Sequence, residues 1–281
     1  LGWASGVKTE SQTSGKGITV PKVVFSLAQM NVRPGDVQKN LSTAEAMIVE
    51  AGASRRNTNA IVLPELWSTG YALERSRELS SQLNDGIFAQ MATLATQNKV
   101  CIVGSVLEKR GMEVANSAPF FAPNGRMLGV YRKIHLFKLM DEDRFLQPGS
   151  APLIMSLPWG DTALAICYDL RFPELFRKYA VSGAKVIIVP AQWPLERIEH
   201  WRALIVARAI ENQCFIVAVN AAGQCGNTIM GGHSMIVDPW GKIVVEVGEQ
   251  PTLVSAEIDT DYVDVIRARI PVFDDRRPEM Y

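Results

Sequence analysis

Three residue types that together can cleave an acyl bond stand beside three short apolar runs of this chain. Cys167 ends Leu164-Ala165-Ile166, Glu65 follows Ala60-Ile61-Val62-Leu63-Pro64, and Lys133 lies among the apolar and aromatic residues of Val130 to Phe137. A thiol can attack a carbonyl carbon, a carboxylate can take the thiol's proton and later activate water, and an ammonium can hold the oxyanion. Each also has an ordinary structural reading. Cys167 can be an inert buried thiol, Glu65 can cap a following turn, and Lys133 can snorkel with its stem on Phe137. As a set they suffice for hydrolysis through a thioester.

The elements around them must bring them together. Runs this short read as buried strands, and the Asp169 and Pro173-Glu174 that follow Cys167 read as the opening of a helix. A cysteine there would face unpaired N–H groups and the positive end of a helix macrodipole, which lowers a thiol from its ordinary pKa near ~8.5. In an open α/β sheet, ligands collect outside the carboxyl ends of the strands, where Glu65 and Cys167 can meet.

Leu-Pro-Glu65, Tyr-Arg-Lys133-Ile-His-Leu-Phe and Ile-Cys167-Tyr-Asp-Leu-Arg-Phe-Pro-Glu occur in that order, and on them the chain resembles the nitrilase, or carbon–nitrogen hydrolase, superfamily. The resemblance runs over nearly everything after about residue 22. It implies an α/β fold of four layers, αββα, with two mixed sheets inside and helices outside. It also implies Glu65 as general base, Lys133 as oxyanion holder and Cys167 as nucleophile, with no metal and no cofactor. The backbone N–H of Tyr168 would share the oxyanion. Glu142 falls where the family often has a second glutamate touching the lysine and the substrate amine, although Asp141 or Asp143 could take that place.

Taken in order, residues 1–22 are rich in Ser, Thr, Gly and Lys without periodicity, and they read as a disordered extension or an expression remnant preceding one hydrolase domain at 23–281. Val23 to Met30 is a strand, a helix runs through Leu41, Ala44, Met47, Ile48 and Ala51 with Asn40 or Ser42 as its cap, and Ala60 to Leu63 is the next strand. Asp85 to Gln97 is helical, and Val100 to Ser105 returns as a strand. Helices are also expected over Phe176–Ser182, stopped at Gly183, and from about Glu196 to Glu211, with strands at Val186–Pro190 and Cys214–Asn220. The exit Ala191-Gln192-Trp193-Pro194 should join the rim that holds Cys167. Phe120–Val130 and Met235–Val245 each place Pro and Gly between apolar strands, reading as hairpins of two similar halves.

Bulk properties fit small-molecule chemistry. Hydrophobic residues make up 47% of the 281 and the formal charge is zero, so no basic field invites nucleic acid or an anionic membrane. No apolar run nears ~18 residues and no secretory h-region opens the chain. Cys101, Cys167, Cys214 and Cys225 form no C-x-x-C pair, the pattern of reduced thiols in a cytoplasmic protein.

The expected substrate is a small amide. Tyr168-Asp169 stands where true nitrilases have Trp-Glu, while Trp193-Pro194 with His200-Trp201 resembles the omega-amidase branch, which implies an amide carrying a carboxylate. Tyr71, Phe137, Tyr168, Trp193 and His200 are the expected substrate contacts, and Arg144, Arg197, His200 and Arg202 are available to a carboxylate. Arg171 and Glu174 are expected to pair and fix the nucleophile turn. Competing readings are an N-carbamoyl amino acid hydrolase, nitrilase or carboxylesterase on the same triad, a Cys-His hydrolase using His135 or His233, and a non-catalytic metabolite-binding relative. The Pro-interrupted tail from Ile270 to Tyr281 could pack on its own domain. The family resemblance implies instead that it is exchanged in a homodimer or larger homo-oligomer.

Overall fold

Alternation along the first strand sets the architecture. In β1 (Val23–Gln29), Val23, Phe25 and Leu27 face one apolar cluster, while Ala28 and the following Met30 face another. Successive strand side chains point to opposite faces, so this sheet must be covered on both. The computed structural model describes residues 22–53 and 56–280, so the expected N-terminal extension lies, apart from Lys22, outside the described residues.

The first half continues through α1 (Val37–Gly52), β2 (Ala60–Val62), α2 (Ser76–Leu79), α3 (Gly86–Asn98), β3 (Cys101–Val103), β4 (Val106–Arg110), β5 (Glu113–Phe121), β6 (Met127–Arg132) and α4 (Glu142–Phe145). The second half is β7 (Ile154–Leu157), β8 (Gly160–Leu164), α5 (Pro173–Val181), β9 (Val186–Ala191), α6 (Ile198–Asn212), β10 (Phe215–Asn220), β11 (Ala222–Cys225), β12 (Thr228–Gly231), β13 (Met235–Val237), β14 (Ile243–Glu246), β15 (Thr252–Ile258) and α7 (Asp261–Arg269).

Strands β1, β2 and β3 run parallel in one sheet, and β8, β9 and β10 run parallel in the other. Each parallel set is extended by an antiparallel hairpin, β5–β6 and β13–β14, as the two Pro-Gly segments suggested. The inner faces share one core: Phe25, Leu27, Val62 and Phe120 pack with Ala163, Val186, Ile188 and Val217. On the outside, Ala44 and Ile48 of α1 and Phe88 and Met91 of α3 cover the first sheet, and Phe176, Tyr179, Trp201 and Ile205 of α5 and α6 cover the second. The order of layers is α, β, β, α.

Some boundaries differ from the sequence reading. Helix α1 starts earlier and is capped by Asp36, which accepts from Lys39 N at 3.2 Å. Asn40 is a buried side chain inside the helix, accepting from Arg33 N and donating to the carbonyls of Arg33 and Ser68. A buried amide must find partners, and these tie the helix to the loop after β2. Strand β15, which closes the edge beside β1, and the helix α7 had no counterpart in the pattern, because β15 is only half buried and α7 buries only Val263 and Ile266. The tail forms no α-helix. Phe273 lies under the guanidinium groups of Arg177 and Arg267, at 5.3 and 5.2 Å, so this part packs on its own chain. No helix among the described residues is long and apolar enough to cross a membrane.

Strand β9 is buried along its whole length, so its side chains cannot be truncated without a void. Ile188→Ala should lower unfolding free energy by about 2–5 kcal/mol, whereas exposed Val49→Ala on α1 should change it by less than about 0.5 kcal/mol, both measured by urea titration.

Candidate active site

The carboxyl ends of β2 and β9 meet where the two sheets face each other. Past β2 the chain is stitched across the gap: Glu65 N donates to Ala191 O at 3.4 Å, and Gln192 Nε2 donates back to Glu65 O at 2.8 Å. Leu66 follows in the left-handed region, φ 41°, with its N–H held by Ser105 Oγ at 2.8 Å. That backbone turn drives the Glu65 side chain inward, where it is fully buried. Its Oε1 accepts from Asn116 Nδ2 and from Lys133 Nζ, both at 2.8 Å, and its Oε2 accepts from Gln192 N at 3.1 Å.

Lys133 comes from just past β6. Its backbone N–H bonds Asn116 O at 2.9 Å, which fixes the side chain to the same floor, and Nζ bridges Glu65 and Glu142 Oε1, the latter at 2.6 Å. Burial works against the ammonium, but Glu142 and Glu65 outweigh it and hold its pKa above the usual lysine value. Glu142 opens α4 and also accepts from Phe137 N and Tyr71 Oη, each at 2.8 Å. Burial pushes its carboxyl up, and the nearby Lys133 offsets part of that.

Cys167 follows β8 after Ala165-Ile166, in the left-handed region at φ 45°, and starts a 3-10 turn through Arg171. The α-helix begins only at Pro173, with proline in the first position where it is tolerated. The expected helix terminus is therefore not at the thiol. Burial pushes Cys167 well above the ordinary thiol value, the charge of Glu65 adds to this, and Lys133 pulls the other way without prevailing. The resting group is a neutral thiol, directed at Gln192 O at 3.8 Å.

The turn is pinned by buried Asp169. Its carboxylate accepts from Ile166 N at 2.8 Å, Tyr131 Oη at 2.7 Å and His135 N at 3.0 Å, and it meets His135 Nδ1 at 2.7 Å. Tyr131 and His135 flank Lys133, so Asp169 locks the cysteine turn to the lysine segment. This commits His135, which also stacks on Phe172 with ring centroids 3.6 Å apart. His233 bonds Glu246 at 2.7 Å and does not line the cysteine's pocket. Neither histidine is placed as a base for Cys167.

Above the thiol lies a small pocket lined by Tyr71, Phe137, Met140, Cys167, Tyr168, Arg171, Gln192, Trp193, Pro194 and Arg197. Of the expected substrate contacts, Tyr71, Phe137, Tyr168 and Trp193 are there, and His200 is not. It stands behind Arg171, 3.4 Å from Nη2. Arg144 pairs with Asp141 and Arg202 with Glu246, both away from the pocket. Arg197 does line it. Arg171 makes no ion pair with Glu174 among the described residues. It lies over the Trp193 ring at 4.8 Å, because Glu174 points to solvent while the indole offers a π-face beside the cavity.

Sequence reasoning passed over Asn116, Asp169 and Gln192 as parts of this site. Asn116 and Asp169 are polar residues of ordinary type, and only their complete burial marks them. Gln192 was placed on the rim, but its bonds on both sides of Glu65 depend on sheet pairing. Among the described residues no three His, Cys, Asp or Glu side chains come together so as to hold a metal ion.

Comparison with known proteins identifies the chain's relatives. The sequence profile of the carbon-nitrogen hydrolase family matches residues 25–268. The 2-oxoglutaramate amidase of Bacillus subtilis is 40% identical over 263 residues, covering 92% of this chain and all of the relative. An omega-amidase from Xenopus tropicalis is 29% identical, covering 92% of this chain and 97% of its own. Among solved structures, a CN-hydrolase superfamily protein from Xanthomonas campestris, carrying an arsenic adduct in its active site, superposes with a TM-score of 0.85 at 29% identity, over 92% of this chain and 98% of that one.

A buried neutral thiol has a definite signature. The rate of Cys167 alkylation by iodoacetamide should still be climbing above pH ~8.5, the ordinary thiol midpoint. A plateau reached between pH ~6 and ~7 would show a stable thiolate instead.

Proposed function

The chain belongs to the carbon-nitrogen hydrolase family and is a hydrolase of carbon–nitrogen bonds other than peptide bonds; from that premise we propose that it releases ammonia from a small carboxylate-bearing amide, as an omega-amidase does, with Cys167 as nucleophile. One observation carries the reading: Cys167, with Glu65 and Lys133 buried behind it, lines a pocket whose wall bears Arg171, a guanidinium with no carboxylate partner among the described residues. A guanidinium on a pocket wall whose contacts are neutral is suited to an anionic substrate group. The name 2-oxoglutaramate amidase, borne by the Bacillus subtilis relative, supports the same substrate class.

Because the thiol rests neutral, attack must be coupled to proton removal. Glu65 takes the proton as sulfur bonds to the amide carbon, and Lys133 with the Tyr168 N–H holds the tetrahedral oxyanion. Glu65 returns the proton to nitrogen, the C–N bond breaks and ammonia leaves. Water activated by Glu65 then attacks the thioester, giving the free acid and the restored thiol. Glu142, already accepting from Lys133, Tyr71 and Phe137 N, serves as a fixed charge that keeps Lys133 protonated and in place.

We read the active form as a homodimer in a reducing compartment. All four cysteines are free and buried, and Ile210, Trp240, Ile243 and Val244 are exposed apolar side chains of the kind a second copy could cover.

Ammonia release from keto acid amides, glutamine, aliphatic amides, N-carbamoyl amino acids and nitriles tests the reading. Cys167→Ala and Glu65→Gln should abolish turnover, and Lys133→Met should cut kcat/KM by at least roughly 100-fold. A panel on which the native protein is silent, or prefers uncharged aliphatic amides, would overturn it. Arg171→Gln should raise KM about 10- to 100-fold for carboxylate-bearing amides while barely changing it for uncharged ones, the loss of a charge-assisted bond in binding.

A further inference from the structure

The pocket wall offers many donors and few acceptors. Arg171 and Arg197 can only donate. The Gln192 side chain is held in place, since its Nε2 donates to Glu65 O at 2.8 Å and its Oε1 accepts from Cys225 Sγ at 3.4 Å. Tyr71 differs from the wall's other acceptors, the Tyr168 hydroxyl and the Gln192 carbonyl that faces Cys167 Sγ at 3.8 Å, in having its hydroxyl fixed by a buried partner. Its single hydroxyl proton is committed to Glu142 Oε1 at 2.8 Å, on the same oxygen that Lys133 grips at 2.6 Å. The phenol oxygen is left with lone pairs alone.

Resting on the amidase reading above, we propose that Tyr71 is the residue that selects a primary amide over an ester, by accepting a hydrogen bond from the amide nitrogen at the thiol end of the pocket. An amide NH2 presents the N–H this oxygen needs. An ester places an alkoxy oxygen there, lone pairs against lone pairs. Glu142 strengthens the arrangement, because a hydroxyl that donates to a carboxylate is polarised and becomes a better acceptor itself. The phenol stays protonated throughout: burial, then the charges of Glu142, Glu65 and Cys167, push it well above the ordinary tyrosine value. No proton is transferred through Tyr71. It orients the nitrogen so that the proton arriving from Glu65 meets the nitrogen lone pair, and it holds the ammonia as the C–N bond breaks.

The test compares the half-amide and the half methyl ester of one dicarboxylic acid on native protein and Tyr71→Phe. The amide-to-ester ratio of kcat/KM should fall at least about tenfold in the variant, with the loss on the amide and mainly in kcat. Equal losses on both substrates, or an unchanged ratio, would assign Tyr71 a structural role and overturn the inference while leaving the amidase reading intact. Native protein that cleaves neither substrate, or only the ester, overturns the amidase reading itself and this inference with it. Alkylation of Cys167 in both proteins at equal stoichiometry shows that the site remains formed in the variant.

Discussion

The structure depends on holding one ammonium and two carboxyl side chains together where water does not reach. Glu65, Lys133 and Glu142 are all essentially unexposed, and Lys133 Nζ lies within 2.8 Å of both acids. Ions removed from water cost several kcal/mol apiece unless their remaining lone pairs and protons are bonded. Each bond that meets this requirement comes from a different part of the chain: Asn116 from β5, Gln192 after β9, Phe137 from the loop past β6, Tyr71 from the segment after β2. Satisfying the cluster therefore closes the two sheets on each other. The fold and the floor of the pocket are one solution to the same electrostatic demand.

Burial, and after it the charge of Glu65, sets the state of the thiol. A thiolate there would be an anion in a dry space, opposed by Glu65 and only partly relieved by Lys133. The sequence suggested a helix terminus that would favour the thiolate. A five-residue 3-10 turn stands there instead, and the net field runs the other way. On the proposed mechanism the proton moves in concert with attack, and Glu65, held by three donors, is the carboxylate that would receive it.

What was legible in the sequence was whatever depends on short range. Strand-end Glu65 and Cys167, Lys133 among apolar neighbours, the parallel strand runs and both hairpins could be read, because period and turn chemistry are local. Asp169 could not be understood locally: beside a cysteine it looks like a cap, and only the meeting of two distant segments makes it the lock between Tyr131, His135 and the nucleophile turn. Arg171 and Glu174 stand three apart, a spacing that favours pairing on a helix. Their separation by the break between the 3-10 turn and α5 removes that geometry, and the guanidinium turns to Trp193. Half-buried β15 and sparsely buried α7 carry too little hydrophobic signal to stand out.

The same field also orders the pocket from floor to mouth. Negative charge is concentrated below the thiol, while the cations Arg171 and Arg197 stand on the wall over Trp193 and Phe137. An amide with a carboxylate at its far end is repelled from the floor by that carboxylate and drawn to the wall by the guanidinium groups, so only its neutral end can approach Cys167. Reversed entry would bring two like charges together in low dielectric, which is far more costly than in water. A single short cavity can thus fix the direction of a small flexible substrate without a close steric fit. Its depth from guanidinium to sulfur then sets how many carbons separate the two ends.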